Sequence, residues 1–150
     1  MINDDYKRAI FEISELMIGN SIKYAITGST NLALQGIEIV PQDIDIVVDY
    51  EDLQKMVKIF PKYLKTGMRK MESKSGEAWE VLLDMDGVEV QFFAEMQGAY
   101  HSALYKNSHC LDIDDRLIYC LPLKEELRIY SESGRKQKAK MIEKFLKRKG

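Results

Sequence analysis

Residues Ile26 to Asp49 read ITGSTNLALQGIEIVPQDIDIVVD. The closing part, QDIDIVVD, is an apolar run interrupted by two acids, Asp43 and Asp45. In an extended chain successive side chains alternate faces at about 3.3 Å per residue. That puts Asp43 and Asp45 on one face about 7 Å apart, with Ile44, Ile46 and Val48 on the other. Two carboxylates side by side on a half-buried strand repel each other and resist desolvation unless something positive stands between them. A divalent cation meets that need, Mg²⁺ above all, a hard ion that prefers carboxylate oxygens and completes its shell with water and substrate phosphates.

Upstream, SIKYAIT reads as a short strand, Gly28-Ser29-Thr30 as a turn and helix cap, and TNLALQG as a short helix closed by Gly36. Unpaired N–H groups at a helix start attract a phosphate, and glycine lets the backbone come close. Between Ser29 and Asp43 the chain has room for a short helix and a return connection that brings the acids near this turn.

Further out, NDDYKRAIFEISELMIGN predicts a helix from about Asp4 to Ile18. YEDLQKMVKIFPKYL predicts another, broken by Pro61, and Lys65 to Glu77 reads as a polar connection. AWEVLLDMDGVEVQFFAE contains two extended runs joined at Asp86-Gly87, a hairpin signal because that dipeptide tolerates positive φ. Residues 98–120 read as a loop, a short helix and an edge strand. PLKEELRIYSES and GRKQKAKMIEKFLKRK read as two helices with a break near Gly134.

The chain's 150 residues, 45% hydrophobic and 31% charged, are those of one soluble globular domain over residues 1–150, with helices at about 122–149 packed on it or extending from it. No apolar run approaches the roughly 18 residues of a membrane span, and the acidic, amphipathic start is unlike a signal peptide, so a cytoplasmic location is expected. Cys110 and Cys120 suit two reduced, partly buried thiols better than a disulfide framework or zinc ribbon. From Lys124 to Gly150 ten Lys and Arg stand against four Glu, a balance of +6, which leaves −8 for residues 1–123 within the overall −2. A basic C-terminal helix beside an acidic body suits an anionic ligand or nucleic acid, and equally a solvated helix face.

An apolar residue, Gly-Ser, a helix and then an apolar-flanked Asp-x-Asp resembles the signature of the nucleotidyltransferase superfamily related to DNA polymerase β. That superfamily includes CCA-adding enzymes, lincosamide and kanamycin nucleotidyltransferases and small members of toxin–antitoxin systems. The resemblance implies an α/β fold of the α+β kind, a mixed sheet flanked by helices with a C-terminal helical segment. It further implies phosphate contacts at Gly28 and Ser29, and metal ligation by Asp43 and Asp45.

The superfamily also uses a third carboxylate on a neighbouring strand, and GVEVQF offers Glu89 for that catalytic and metal-binding role. If Asp86-Gly87 is a two-residue loop, Asp84 faces Glu89 across the ladder. Like charges so placed are unfavourable, and a metal or bound cation would relieve them; Asp84 is the alternative third acid. Late in the chain, Gly134 and Arg135 match a Gly-Arg-Pro-Lys-Asp element of some members, from which Lys136, Gln137 and Lys138 then depart. Arg135 is therefore a candidate contact for triphosphate or acceptor.

The implied activity is transfer of a nucleoside monophosphate from a nucleoside triphosphate to an acceptor hydroxyl, with Mg²⁺ or Mn²⁺ as cofactor. The acceptor, a small molecule, protein or RNA, is not identified by these residues; no membrane partner is expected and a homodimer is left open. The competing expectation is a non-catalytic nucleotide- or partner-binding protein of the same fold. A nucleic-acid module on the basic helix lacks aromatic interleaving beyond Phe145. Asp112 and Asp114 repeat the Asp-x-Asp form with polar flanks and read as a turn. His101, His109 and Cys110 fit no compact metal spacing, Trp79 reads as core, and Lys74 to Gly76 is too short for a phosphate loop.

Overall fold

A computed structural model describes residues 2–71, 78–95 and 104–149. The first helix, α1 (Asp4–Gly19), starts where the Asn3 side chain accepts the Tyr6 N–H at 3.0 Å, and two acids in its first turn suit the helix dipole. Its inward stripe of Ala9, Ile10, Ile13 and Met17 is buried at the spacing an amphipathic helix requires. Then follow β1 (Tyr24–Thr27), buried throughout, α2 (Gly28–Leu34) and β2 (Ile44–Val48). α3 (Tyr50–Leu53) and α4 (Lys55–Ile59) divide at Gln54 what the sequence suggested was one helix, and Pro61–Tyr63 forms a 3₁₀ turn after them.

Seven strands form one sheet, in the order β3-β4-β5-β2-β1-β7-β6. β1 and β2 are antiparallel, with Thr27 opposite Asp45. β2 and β5 (Val88–Glu95) are parallel, with Asp45 opposite Gln91. β4 (Ala78–Met85) and β5 form the expected hairpin: Asp86 and Gly87 take φ of 55° and 93°, and Asp84 faces Glu89. On the other flank β7 (Arg116–Cys120) lies parallel to β1, with β6 (His109–Ile113) outermost.

Two expectations need correction. The supposed polar connection from Lys65 is largely a strand, β3 (Leu64–Met71); residues 72–77 lie outside the described part. Its polar pattern belongs to a sheet edge, where charged side chains are favoured over apolar ones. In the 98–120 region there are two strands, not one, after a 3₁₀ turn at Leu104–Asn107, and β7 lies inside the sheet.

One sheet face carries Ile26, Ile44, Ile46 and Phe92, and with Ile10, Ile13, Leu53 and Met56 from the helices it forms the main core. The other face carries Ala25 and Val47, covered by Tyr105, Leu121 and Ile129. α5 (Leu123–Glu132) and α6 (Lys136–Lys149) are separated at Gly134, whose φ is 78°, and they pack on α2 through Leu32, Leu123, Tyr130, Ala139 and Ile142. Among the described residues no helix is long and apolar enough to cross a membrane. Asp43 and Asp45 belong to the second face, beyond Val47, where its cover ends.

Candidate active site

Asp45 follows from the strand alternation: Ile44 and Ile46 are fully buried in the main core, so their neighbour points the other way. Its Oδ1 is buried and has no hydrogen-bond partner. Burial, and then contact with the Asp43 carboxylate, pushes its pKa up to about 7, with the Lys138 charge opposing. Asp43 stands just before β2, its backbone carbonyl accepting a 2.6 Å hydrogen bond from the Thr30 hydroxyl. Asp43 and Asp45 therefore come together as the strand geometry implies.

Gly28 opens α2 with a φ of 76°, and a Cβ placed on it would stand 2.8 Å from Asp45 Oδ2. Real Cβ atoms do not approach that closely, so the absence of a side chain lets the turn and the acid share this space. The Gly28 N–H donates to Glu126 Oε2 at 2.8 Å. Glu126, only 1% exposed, also accepts from the Thr27 hydroxyl at 2.7 Å and the Asn31 amide at 2.9 Å. Burial raises its pKa, and these three donors oppose the rise. The Ser29 hydroxyl accepts the Gln42 N–H at 3.1 Å. Gly28 and Ser29 are thus braced from two sides, by α5 and by the connection leading to β2.

Sequence reasoning missed Glu126. The signal was present: Leu123, Glu126, Leu127 and Tyr130 recur at steps of three and four, which puts an acid on the apolar stripe of an amphipathic helix.

Two cavities flank the acid pair. One, of about 180 Å³, adjoins Asp45 and is lined by Thr27, Gly28, Gln91, Glu126, Tyr130 and Arg135. The Arg135 guanidinium lies 5.7 Å from the centre of the Tyr130 ring, and the Lys138 ammonium lies 5.4 Å from it. The other, of about 210 Å³, adjoins Asp43 and holds Lys65, Arg69, Glu80 and Glu89, with Gln91 shared between the two.

Glu89 stands on the expected face, but its carboxylate is bonded to Lys65 at 2.9 Å. Asp84 accepts the Gly87 N–H at 2.7 Å. The opposition of Asp84 and Glu89 is thus relieved by a lysine and a turn amide. Among the described residues no three His, Cys, Asp or Glu side chains gather closely enough to hold a metal together. Asp112 accepts the Asp115 N–H at 3.0 Å within the β6–β7 turn, as its polar flanks suggested. His109 and Cys110 are exposed on β6 and Cys120 is buried; His101 and Lys74 to Gly76 lie outside the described residues. Trp79 is partly buried, edge-on to Tyr50.

The family model of aminoglycoside-2''-adenylyltransferases matches residues 9–145. The chain belongs to this family. It is a nucleotidyltransferase by family, hence an enzyme of the transferase class. Solved structures agree with the fold. A protein of Thermotoga maritima described as a nucleotidyltransferase is 25% identical with a TM-score of 0.78, over 99% of this chain and 96% of its own. The lincosamide adenylyltransferase LnuA, solved with lincomycin, is 15% identical with a TM-score of 0.60, over 91% and 95%. ANT(2'')-Ia, in complex with adenylyl-2''-tobramycin, is 14% identical with a TM-score of 0.57, over 93% and 88%. No curated protein sequence is similar enough to match the chain.

Proposed function

We propose that the protein transfers a nucleoside monophosphate, an adenylyl group by analogy with its family, from a nucleoside triphosphate to an acceptor hydroxyl. The observation that carries this reading is Asp45 Oδ1, a buried carboxylate oxygen without a donor, set against a second carboxylate and beside a glycine that has no room for a side chain. Hard oxygen donors crowded in this way fit a divalent cation, Mg²⁺ or Mn²⁺, held by Asp43 and Asp45. When bound, such an ion neutralises charge on the transferring phosphate. Gly28 keeps the space over Asp45 open, and Glu126 fixes the turn that does so. Arg135 and Lys138, on the Asp45 side, offer positive charge to the triphosphate. Glu89, on the Asp43 side and bonded to Lys65, is the proposed acceptor of the hydroxyl proton.

One observation favours the non-catalytic alternative. The Gly28 N–H and the Ser29 hydroxyl, phosphate contacts by resemblance, are already engaged within the protein. The deciding experiment incubates the protein with each of four ribonucleoside triphosphates and Mg²⁺ or Mn²⁺, following thermal stability and pyrophosphate release together. Stabilisation with release over a panel of hydroxyl acceptors supports transfer; stabilisation without release supports the binding protein.

A further inference from the structure

The groove beside Asp43 holds three carboxylates, Asp43, Glu80 and Glu89, against two cations, Lys65 and Arg69. Capture of a polycation such as an aminoglycoside, with its several ammonium groups, requires carboxylates whose charge is not already cancelled. Here two of the three are matched from within. Glu80 accepts Arg69 Nε at 2.7 Å and Gln91 Nε2 at 2.7 Å, and its side chain is only 10% exposed. Separating the pair leaves the nearly buried Glu80 carboxylate uncompensated, so Glu80 is not free for a visitor. Glu89 is bonded to Lys65 at 2.9 Å with both side chains about half exposed or more. That pair adds little stability, but the ammonium cancels the carboxylate's field and repels any second ammonium brought near it. One negative charge is left, at Asp43, in contact with Asp45 where the cation would bind. Leu82, beside Glu80 on the same face of β4, supplies one apolar patch to the lining.

We propose that this groove admits an uncharged hydroxyl acceptor and rejects polycationic ones, with Lys65 and Arg69 as the residues that set the choice. The inference rests on the nucleotidyltransferase reading and names the acceptor class for it. Mutually paired polar groups beside the Leu82 patch suit the hydroxyls and hydrocarbon face of a neutral ring. The family's aminoglycoside name thus describes the fold and chemistry of this chain and not its acceptor.

Two probes with one skeleton test it: tobramycin, and tobramycin acetylated on every amine, which keeps hydroxyls and loses the charges. Each is titrated calorimetrically into the full chain, wild type and Lys65→Glu, with nucleotide binding measured on the same preparations. Lys65 is half exposed, so its replacement does not threaten the fold; the substituted side chain and Glu89 then make a pair of carboxylates suited to an ammonium. Wild type is expected to bind the acetylated form at least as tightly as tobramycin. Lys65→Glu is expected to bind tobramycin at least about tenfold more tightly than wild type does, about 1.4 kcal/mol, and to lose the gain at high salt. If wild type binds neither form, the gain in Lys65→Glu supports the exclusion of polycations, and the claim that the groove admits the neutral form is overturned. A wild-type preference for tobramycin, or no gain in Lys65→Glu, overturns it. Failure of wild type to bind any nucleoside triphosphate would instead remove the underlying functional reading, leaving the tobramycin comparison to stand by itself.

Discussion

Asp43 and Asp45 lie two residues apart, yet their flanks are built in opposite ways. Around Asp45 the side chains that fix the turn, Thr27, Asn31 and Glu126, are buried, neutral donors converge on Glu126, and the backbone is pinned in a conformation that suits glycine. Around Asp43 the polar groups are held by ion pairs between long side chains, Lys65–Glu89 exposed on both sides and Arg69 half exposed over a buried Glu80. Buried hydrogen-bond networks specify one geometry, because each unmet donor costs free energy. Exposed ion pairs contribute little and rearrange easily. The difference suits a reaction in which one substrate is always the same and the other varies.

The contrast is most sharply tested at Glu126. Glu126→Ala leaves the Thr27 hydroxyl and the Gly28 N–H without their acceptor and takes from the Asn31 amide one of two, the Leu121 carbonyl remaining, and a loss of about 3 kcal/mol in unfolding free energy is expected by denaturant titration. A loss below about 1 kcal/mol would mean that the Asp45 flank is no more rigid than the other.

Gly28→Ala comes next. A left-handed φ on alanine costs about 1–2 kcal/mol, and the new methyl must displace the Asp45 carboxylate. Stability is expected to fall by that amount, and Mn²⁺-dependent nucleotide binding by at least about tenfold, a factor worth about 1.4 kcal/mol. Unchanged nucleotide affinity would separate Gly28 from the site.

The third test is pH. Asp45 titrates near 7 when folded, against an ordinary 3.8. Above that range both states are ionised and the folded protein bears the cost of the buried charge. As pH falls from about 7 towards 4, the folded state takes up a proton that the unfolded state does not, so apo stability rises, by one to a few kcal/mol. Glu126, also raised, acts in the same direction. Asp45→Asn is expected to be more stable than wild type at pH 8 and to show a flatter profile in thermal melts. A wild-type profile that falls between pH 7 and 5 would contradict the burial of Asp45.

The smallest effect on stability belongs to the open flank. Glu89→Gln removes an exposed ion pair and is expected to change unfolding free energy by less than about 1 kcal/mol. Turnover is expected to fall by about a hundredfold with nucleotide affinity little changed. Full activity here with a dead Asp84→Asn would move the third-acid role to Asp84.

What could be read from the sequence was what repeats locally. The alternation in QDIDIVVD placed Asp43 and Asp45 on one face, and Asp86-Gly87 set the hairpin register down to the Asp84–Glu89 pair. Family resemblance reached the same fold through the Gly-Ser turn. What escaped was set by distant contacts. Glu126 meets Gly28 across 98 residues, and no local pattern states that partnership. The polar pattern of β3 reads as a connection because an edge strand lacks the buried alternation that marks its neighbours. Lys65 likewise had no evident role until the sheet set it beside Glu89, 24 residues on.

The position of β3 has a further consequence. It is the outermost described strand on its side, and such an edge, with backbone groups unpaired, invites another chain to extend the sheet. Lys65 and Arg69 line the groove and guard that border at once. A lineage that exchanged them for apolar residues to welcome a greasier acceptor would strip the edge of its protection in the same step. Solubility therefore narrows the routes by which this groove can acquire new substrates.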